Sequence, residues 1–156
     1  RLSDGTIDCI ATDHAPHTLE NKALGFPKAH AGMPGVETSL PVMLTHAADG
    51  KCSIPDVVRW MCEGPSRVYG IQGKGRLQEG MDADLVLVDM ESSRTISDAD
   101  TWTRVGWTAY EGISLTGWPV CTVVDGTIVH SRTAGGPNSG EILVEPGSVG
   151  RALRFA

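Results

Sequence analysis

The chain has 156 residues, 40% of them hydrophobic and 21% charged, which is enough to enclose a core. Lys and Arg number 13 against 19 Asp and Glu, and this net charge of −6, with the basic residues scattered, excludes a nucleic-acid surface. No apolar run reaches membrane-spanning length and no signal-peptide pattern is seen, so we expect neither a membrane nor a nucleic-acid partner.

The first predicted element is a buried strand, the apolar run 7–11, which ends in an acid flanked by imidazoles. In (β/α)₈ barrels the catalytic groups lie where strands end and loops begin, so Asp13, beside His14 and His17, is a candidate metal ligand or general base. The alternative is a strand-end turn in which Asp13 caps nearby backbone N–H groups. Because a parallel strand needs neighbours on both sides and the chain starts without a Met, we expect a piece of a longer protein.

A long loop is predicted next, from Thr18 to Gly35, rich in Gly, Pro, Lys and His. Loops of this length in compact domains are usually functional. Gly32 and Gly35 near its end allow the backbone to approach a ligand closely. The alternative is an ordinary cluster of breakers ahead of a helix.

Residues 36–71 are predicted to form packing helices. The first has an apolar face with spacings of three and four and ends at Asp49-Gly50; that face is Val36, Leu40, Met43, Leu44 and Ala47. The second begins at Ser53, with Asp56 at the capping-box position. A third begins at Gly64 and ends at Gly70. We expect Trp60 and Met61 in the core and not beside a cofactor.

From residue 72 onward the pattern changes to short segments punctuated by glycine. Residues 85–88 are predicted as a buried strand, and residues 121–130 as a β-hairpin around an Asp125-Gly126 turn. These features predict a small β-sandwich. The tail 133–150, rich in Gly, Pro and Ser, is expected to be extended or partly disordered.

The four cysteines, Cys9, Cys52, Cys62 and Cys121, form no CxxC pair and mostly stand in apolar contexts. That pattern is typical of reduced, buried thiols in a cytoplasmic protein and not of a structural zinc site.

Two motifs carry a resemblance to a known family: Thr12-Asp13-His14-Ala15-Pro16-His17 and Gly32-Met33-Pro34-Gly35-Val36-Glu37-Thr38. Together they resemble the C-terminal part of dihydroorotases, closest to the class I type within the amidohydrolase superfamily. The first motif is specific to dihydroorotases. Segments 73–77, 80–89 and 115–120 resemble the strands that the wider superfamily carries beside its barrel.

The resemblance implies an α/β fold, the C-terminal part of a (β/α)₈ TIM barrel joined to part of a small β-sandwich domain. Residues 1–71 would supply the last barrel strand, at 7–13, together with the active-site loop and the closing helices. Residues 72–156 would be the C-terminal part of the sandwich with a flexible tail.

The resemblance also implies chemistry, the zinc-dependent interconversion of dihydroorotate and N-carbamoyl-L-aspartate in pyrimidine biosynthesis. Asp13 would ligate zinc and act as general base. Zinc lowers the pKa of bound water to about 7, so a carboxylate can accept its proton near neutral pH. His17 and the backbone of Ala31 and Gly32 would bind the substrate carboxylate. His14 would orient Asp13. Three further histidines are expected to be surface or structural residues: His30, His46 and His130.

The family's His-x-His pair is absent from this chain, so the remaining ligands for one or two zinc ions would lie outside it. Because a catalytic zinc site needs at least three protein ligands, we expect the isolated chain to be inactive and metal-free. A homo-oligomer or a complex with aspartate transcarbamoylase is the expected assembly.

Three alternatives stay open. The parent protein is an allantoinase or dihydropyrimidinase, or it is a non-catalytic dihydroorotase-like scaffold for aspartate transcarbamoylase, in which Asp13 and His17 would have no purpose. The third, a structural β-rich binding module, leaves the Asp13–His17 segment unexplained.

Overall fold

The structure is a computed structural model, and it describes residues 1–132, 140–142 and 150–155. Helices precede strands along the chain. The elements are α1 Leu19–Lys22, α2 Ser39–Ala48, α3 Ile54–Val58, a π-helical turn Arg59–Glu63, α4 Gly64–Tyr69, β1 Leu85–Thr95, a 3₁₀ turn Asp98–Asp100, β2 Ser114–Val124, β3 Thr127–Arg132 and β4 Gly140–Ile142. In these ranges no helix has the length and apolar character needed to cross a membrane.

The segment 7–13 differs from the predicted buried strand, because it forms no strand and Ile7 is 48% exposed. A strand needs a neighbouring strand to complete its ladder of hydrogen bonds. Here the Ile10 N–H donates instead to the Trp60 carbonyl, at 3.0 Å, in the π-helical turn. The eighth barrel strand therefore stays a prediction for the whole protein.

The predicted helix ends are confirmed. Helix α2 stops at Asp49-Gly50, and α4 stops at Gly70, whose backbone is left-handed with a φ of 64°. Helix α3 begins with the predicted capping box: the Ser53 hydroxyl accepts the Asp56 N–H at 3.3 Å, and the Asp56 carboxylate accepts the Ser53 N–H at 3.0 Å. The loop 18–35 differs in one respect, because it contains the short helix α1, capped by Thr18.

The core lies where α2 packs against β2. Leu44 and Leu115 are buried there, and the Thr45 hydroxyl accepts the Thr116 N–H at 2.8 Å. A Cβ at Gly117 would lie 2.6 Å from the Leu44 Cβ, so the strand reaches the helix closely because this position has no side chain. The expectation for the two core residues is confirmed for Trp60, which is 4% exposed, while Met61 is half-buried.

The four strands form one antiparallel sheet in the order β1-β2-β3-β4. The predicted hairpin is confirmed as β2 and β3, and its turn residues Asp125 and Gly126 have φ values of 49° and 79°, as a type I′ turn requires. A second sheet, which a sandwich would need, is not among the described residues.

The predicted strand over 85–88 is confirmed as part of β1, but its predicted burial is wrong, since three of the four residues are exposed and Val88 is half-buried. Leu85, Val86 and Leu87 belong to β1 but are exposed, Leu87 by 51%. A single sheet covers its residues on one face only, and the other face needs a second layer that the described residues do not supply. Within the predicted tail, β4 is a strand, and residues 133–139 and 143–149 lie outside the described residues.

Candidate active site

Asp13 has an unusual backbone conformation, with a φ of 43°. A residue with a Cβ tolerates this region poorly, and Asp is among the few that adopt it. Such outliers concentrate at functional sites, where the surrounding structure holds them in place. In the part of the chain that is described, no N–H donates to the Asp13 carboxylate, so the interpretation of Asp13 as a turn cap lacks its defining hydrogen bond.

His14 contacts the backbone of the loop ahead of α2. Its Nδ1 accepts the Gly35 N–H at 3.1 Å and the Val36 N–H at 3.2 Å, which leaves the ring proton on Nε2. His14 therefore fastens the 12–17 segment to the residues that precede α2. Its role in orienting Asp13 stays a prediction.

The three groups predicted to bind a carboxylate lie together. The Ala15 N–H donates to the Met33 carbonyl at 3.2 Å, which joins the 12–17 segment to the loop 30–36. A Cβ at Gly32 would lie 2.7 Å from the Ala15 Cβ and 3.7 Å from the His17 Cδ2, so the imidazole stands beside the Gly32 backbone. Among the described residues, the N–H groups of Ala31 and Gly32 have no acceptor, which leaves them available to a ligand.

The other histidines are placed as follows. His30 is exposed, but its ring lies 4.9 Å from that of half-buried His17, with the ring planes tilted by 41°. His46 is half-buried at the end of α2, 3.4 Å from the Lys51 Nζ, and His130 is half-buried on β3. His30 is thus a surface residue, as expected, and it lies beside the candidate site.

Lys22 and Trp107 are site residues that the sequence did not reveal. The Lys22 ammonium donates to the His30 carbonyl at 2.8 Å and to the Gly32 carbonyl, and it lies 5.6 Å from the centre of the Trp107 ring. The Trp107 indole N–H donates to the His17 carbonyl at 2.8 Å. The sequence indicated Lys22 only by its place in a Gly- and Pro-rich loop. It gave no indication of Trp107, which lies far from this loop along the chain.

Glu37 also has a role that the sequence did not predict, although it belongs to the second motif. Its carboxylate accepts the N–H groups of Trp102 and Thr103, both at 2.8 Å. This pair of charge-assisted bonds ties the loop ahead of α2 to the connection between β1 and β2. That connection also carries Trp107, so it supports the candidate site from two points.

The sequence predicts one metal ligand in this chain, Asp13. Within 1–132, 140–142 and 150–155, no three side chains of His, Cys, Asp or Glu are grouped so that they could hold a metal ion. A catalytic zinc site needs at least three protein ligands. These residues therefore do not fit a complete zinc site by themselves.

A model of the amidohydrolase family matches residues 1–129. The chain is similar to the dihydroorotase of Halobacterium salinarum, at 44% identity over 129 residues, which are 83% of this chain and 30% of the relative. It is also similar to the dihydroorotase of Pyrococcus furiosus, at 38% identity over 149 residues, which are 94% of this chain and 34% of the relative.

Two solved structures extend the likeness to the fold. The L-hydantoinase (dihydropyrimidinase) from Arthrobacter aurescens matches with a TM-score of 0.81 at 37% identity, covering 92% of this chain and 32% of that one. The D-hydantoinase (dihydropyrimidinase) from Thermus sp. matches with a TM-score of 0.80 at 27% identity, covering 94% and 32%. The chain thus spans about a third of the length of these relatives.

Proposed function

The chain belongs to the amidohydrolase family, and from that membership we propose that the whole protein is a zinc-dependent cyclic amidohydrolase that interconverts dihydroorotate and N-carbamoyl-L-aspartate in pyrimidine biosynthesis. The sequence relatives that support this choice are dihydroorotases. The observation that carries it is the position of His17 beside the Gly32 backbone, where the N–H groups of Ala31 and Gly32 have no acceptor among the described residues. These donors suit the carboxylate that distinguishes dihydroorotate from simpler cyclic amides.

We place residues 1–71 in a (β/α)₈ barrel, with 7–13 as its last strand, and residues 72–156 in a β-sandwich beside it. The exposed apolar side chains of β1 support the second assignment, because a further layer would bury them. Ile7, exposed here, would likewise be covered by a neighbouring strand. A second copy of the protein or aspartate transcarbamoylase is the proposed partner.

Asp13 is the proposed general base. As water attacks the ring carbonyl carbon and the amide C–N bond breaks, the carboxylate takes a proton from the water and passes it to the leaving nitrogen. Among the described residues no N–H donates to this carboxylate, so it is available to the reacting water. Asp13 is also the zinc ligand that this chain would contribute, and the other ligands would come from the length of the relatives that it does not span.

His17 is the proposed contact to the substrate carboxylate. An imidazole N–H and two backbone N–H groups offer three donors to a planar anion. Their closeness across the 12–17 segment and the loop 30–36 would hold the ring of the substrate in one orientation. Orientation of this kind is a major source of rate enhancement.

The structural likeness to an L-hydantoinase favours a second candidate, hydrolysis of a hydantoin or dihydropyrimidine ring. These rings contain the same amide but lack the carboxylate of dihydroorotate. The two functions therefore differ at His17 and not at Asp13.

The experiment is a comparison of turnover by the whole zinc-loaded protein on dihydroorotate, dihydrouracil, hydantoin and allantoin. We expect the highest kcat/KM with dihydroorotate. A higher value for a ring without the carboxylate would establish the second candidate or an allantoinase. Turnover of none of them, by a protein that binds zinc, would contradict catalysis and support a scaffold role.

Two variants of the whole protein test the assigned residues. Asp13→Asn is expected to lower kcat by about 10²-fold or more while dihydroorotate binding largely survives, because the loop contacts remain. His17→Ala is expected mainly to raise KM. Asp49→Asn, which changes an exposed carboxylate just after α2, is the matched control. An effect of Asp13→Asn below about tenfold would remove Asp13 from the mechanism, and an unchanged KM in His17→Ala would remove the carboxylate contact.

A further inference from the structure

We propose that Lys22 and Trp107 form a clamp, in which Lys22 is a positioning residue that aims the amides of Ala31 and Gly32 at the substrate carboxylate. This inference rests on the proposed function, because it concerns how the carboxylate-binding groups are held. Neither residue lies in the two sequence motifs that carry the family resemblance.

The Lys22 ammonium is directed at the loop backbone. Two of its three N–H donors are bonded to the carbonyls of His30 and Gly32, and the ammonium also lies over the face of the Trp107 ring. These contacts commit most of the ammonium to the protein. We therefore assign Lys22 a role in holding the loop.

The geometry of the peptide bond links these carbonyls to the binding amides. In a trans peptide the carbonyl of one residue and the N–H of the next point in opposite directions within one plane. When Lys22 holds the His30 carbonyl, it turns the Ala31 N–H away from itself. The bond to the Gly32 carbonyl fixes the peptide plane between Gly32 and Met33. The plane between Ala31 and Gly32, which carries the Gly32 N–H, therefore lies between two anchored peptides.

The loop has few other restraints at this point. Helix α1 has a single turn, and the backbone bonds that follow it, from the N–H groups of Lys28 and Ala29 to the Gly25 carbonyl, end before residue 30. The next backbone bond joins Ala15 to Met33. Between these backbone bonds, Lys22 is the donor to the His30 and Gly32 carbonyls among the described residues.

Trp107 extends the clamp to the other half of the carboxylate site. Its indole N–H holds the His17 carbonyl at 2.8 Å while its ring lies beneath the Lys22 ammonium. The segment that carries Trp107 is itself anchored by Glu37, through the N–H groups of Trp102 and Thr103. One side chain thus relates the position of His17 to that of the Ala31–Gly32 backbone.

The kinetic test uses Lys22→Met in the whole protein, which removes the donors and keeps a long side chain. We expect the KM for dihydroorotate to rise about tenfold with kcat within about threefold, because Asp13 is unaffected. Lys28→Met, in the same loop but with no side-chain hydrogen bond among the described residues, is the control and should match the wild type. An unchanged KM in Lys22→Met, or an equal rise in Lys28→Met, would overturn the proposal.

Backbone NMR relaxation separates the clamp from the proposed function. In Lys22→Met, the order parameters of the amides of residues 30–33 should fall, while those of α2 should be unchanged, which also shows that the variant is folded. Trp107→Phe, which keeps an aromatic ring but removes the indole N–H donor, should lower the order parameters at residues 17–18. If the order parameters in 30–33 match the wild type, the clamp is refuted whether or not the protein turns over dihydroorotate. If they fall but dihydroorotate is not a substrate, the clamp stands and the proposed function fails.

Discussion

At the scale of single residues, the candidate site depends on two backbone positions with positive φ. Asp13, at 43°, lies near the start of the 12–17 segment, and Gly32, at 93°, brings the loop against Ala15. The reason for each conformation differs. Asp13 adopts a backbone conformation that its Cβ disfavours, whereas Gly32 has no Cβ, and an added one would also contact Ala15.

Gly32→Ala is predicted to raise the KM for dihydroorotate in the whole protein. The new Cβ would lie 2.7 Å from the Ala15 Cβ and 3.0 Å from the Ala15 carbonyl oxygen, so the loop must move away from the 12–17 segment. Gly25→Ala is the matched control, because Gly25 has a φ of 70° in the same loop with nothing within 4 Å of an added Cβ. Steady-state kinetics on both variants separate the contact from the backbone strain. Equal kinetics in the two variants would contradict the close approach.

At the scale of elements, local hydrogen bonds determine where the helices begin and end. Helix α3 begins where Ser53 and Asp56 bond each other's backbone N–H groups. These bonds lower the pKa of the Asp56 carboxyl, first through the Ser53 N–H and then through its hydroxyl, because both stabilise the charged form. The short helix then continues through the π-helical turn that holds buried Trp60.

Ser53→Ala is predicted to lower the free energy of unfolding by about 1 kcal/mol, the usual cost of losing an N-cap side chain. The reason is that the Asp56 N–H loses its acceptor and the Asp56 carboxylate loses the hydroxyl donor. Urea denaturation followed by circular dichroism measures the change. Ser3→Ala, at an exposed position outside any helix, should leave the midpoint unchanged. A loss in Ser53→Ala no larger than in the control would show that the box does not stabilise the protein.

At the scale of the whole molecule, a network of charges joins three parts of the chain. The Lys74 ammonium bonds Asp82, at 3.0 Å, and Asp84, while Arg151 bonds Asp82 and the hairpin residue Asp125. The Lys74 hydrogen bonds lower the pKa of both Asp82 and Asp84, and those carboxylates in turn raise the pKa of Lys74. The network holds residues 73–84, the β2–β3 turn and the segment 150–155 together.

The network predicts a pH-dependent stability. A lowered carboxyl pKa stabilises the fold above the ordinary value of 3.8, and that contribution is lost as the pH falls through the lowered value. The raised pKa of Lys74 stabilises the fold below the ordinary 10.5 and is lost as the pH rises through the raised value. Lys74→Met should therefore be destabilised most between these limits, and its difference from the wild type should shrink as the medium becomes acidic.

Urea midpoints measured from about pH 7 down to about pH 2 test this dependence. Lys51→Met is the control, because Lys51 pairs with the exposed carboxylate of Asp49 and stands outside the network. A difference between Lys74→Met and the wild type that stays constant over this range would contradict the role of the network.

The sequence alone determined the features whose partners lie within a few residues. The capping box at Ser53, the helix end at Gly70 and the Asp125-Gly126 turn were predicted and confirmed, because each depends on bonds or φ values that neighbouring residues settle. The motif around Asp13 likewise identified the family, since its residue types stand in one continuous run.

Only the tertiary structure decided which distant groups meet. Trp107 reaches the His17 carbonyl across 90 positions of chain, and nothing in the local pattern around either residue indicates that bond. The same holds for the exposed side chains of β1 and the unpaired segment 7–13, because burial and strand pairing depend on which layers and strands lie alongside. Local hydrogen bonding is encoded in residue spacing, whereas packing is a property of surfaces that the folded chain brings together.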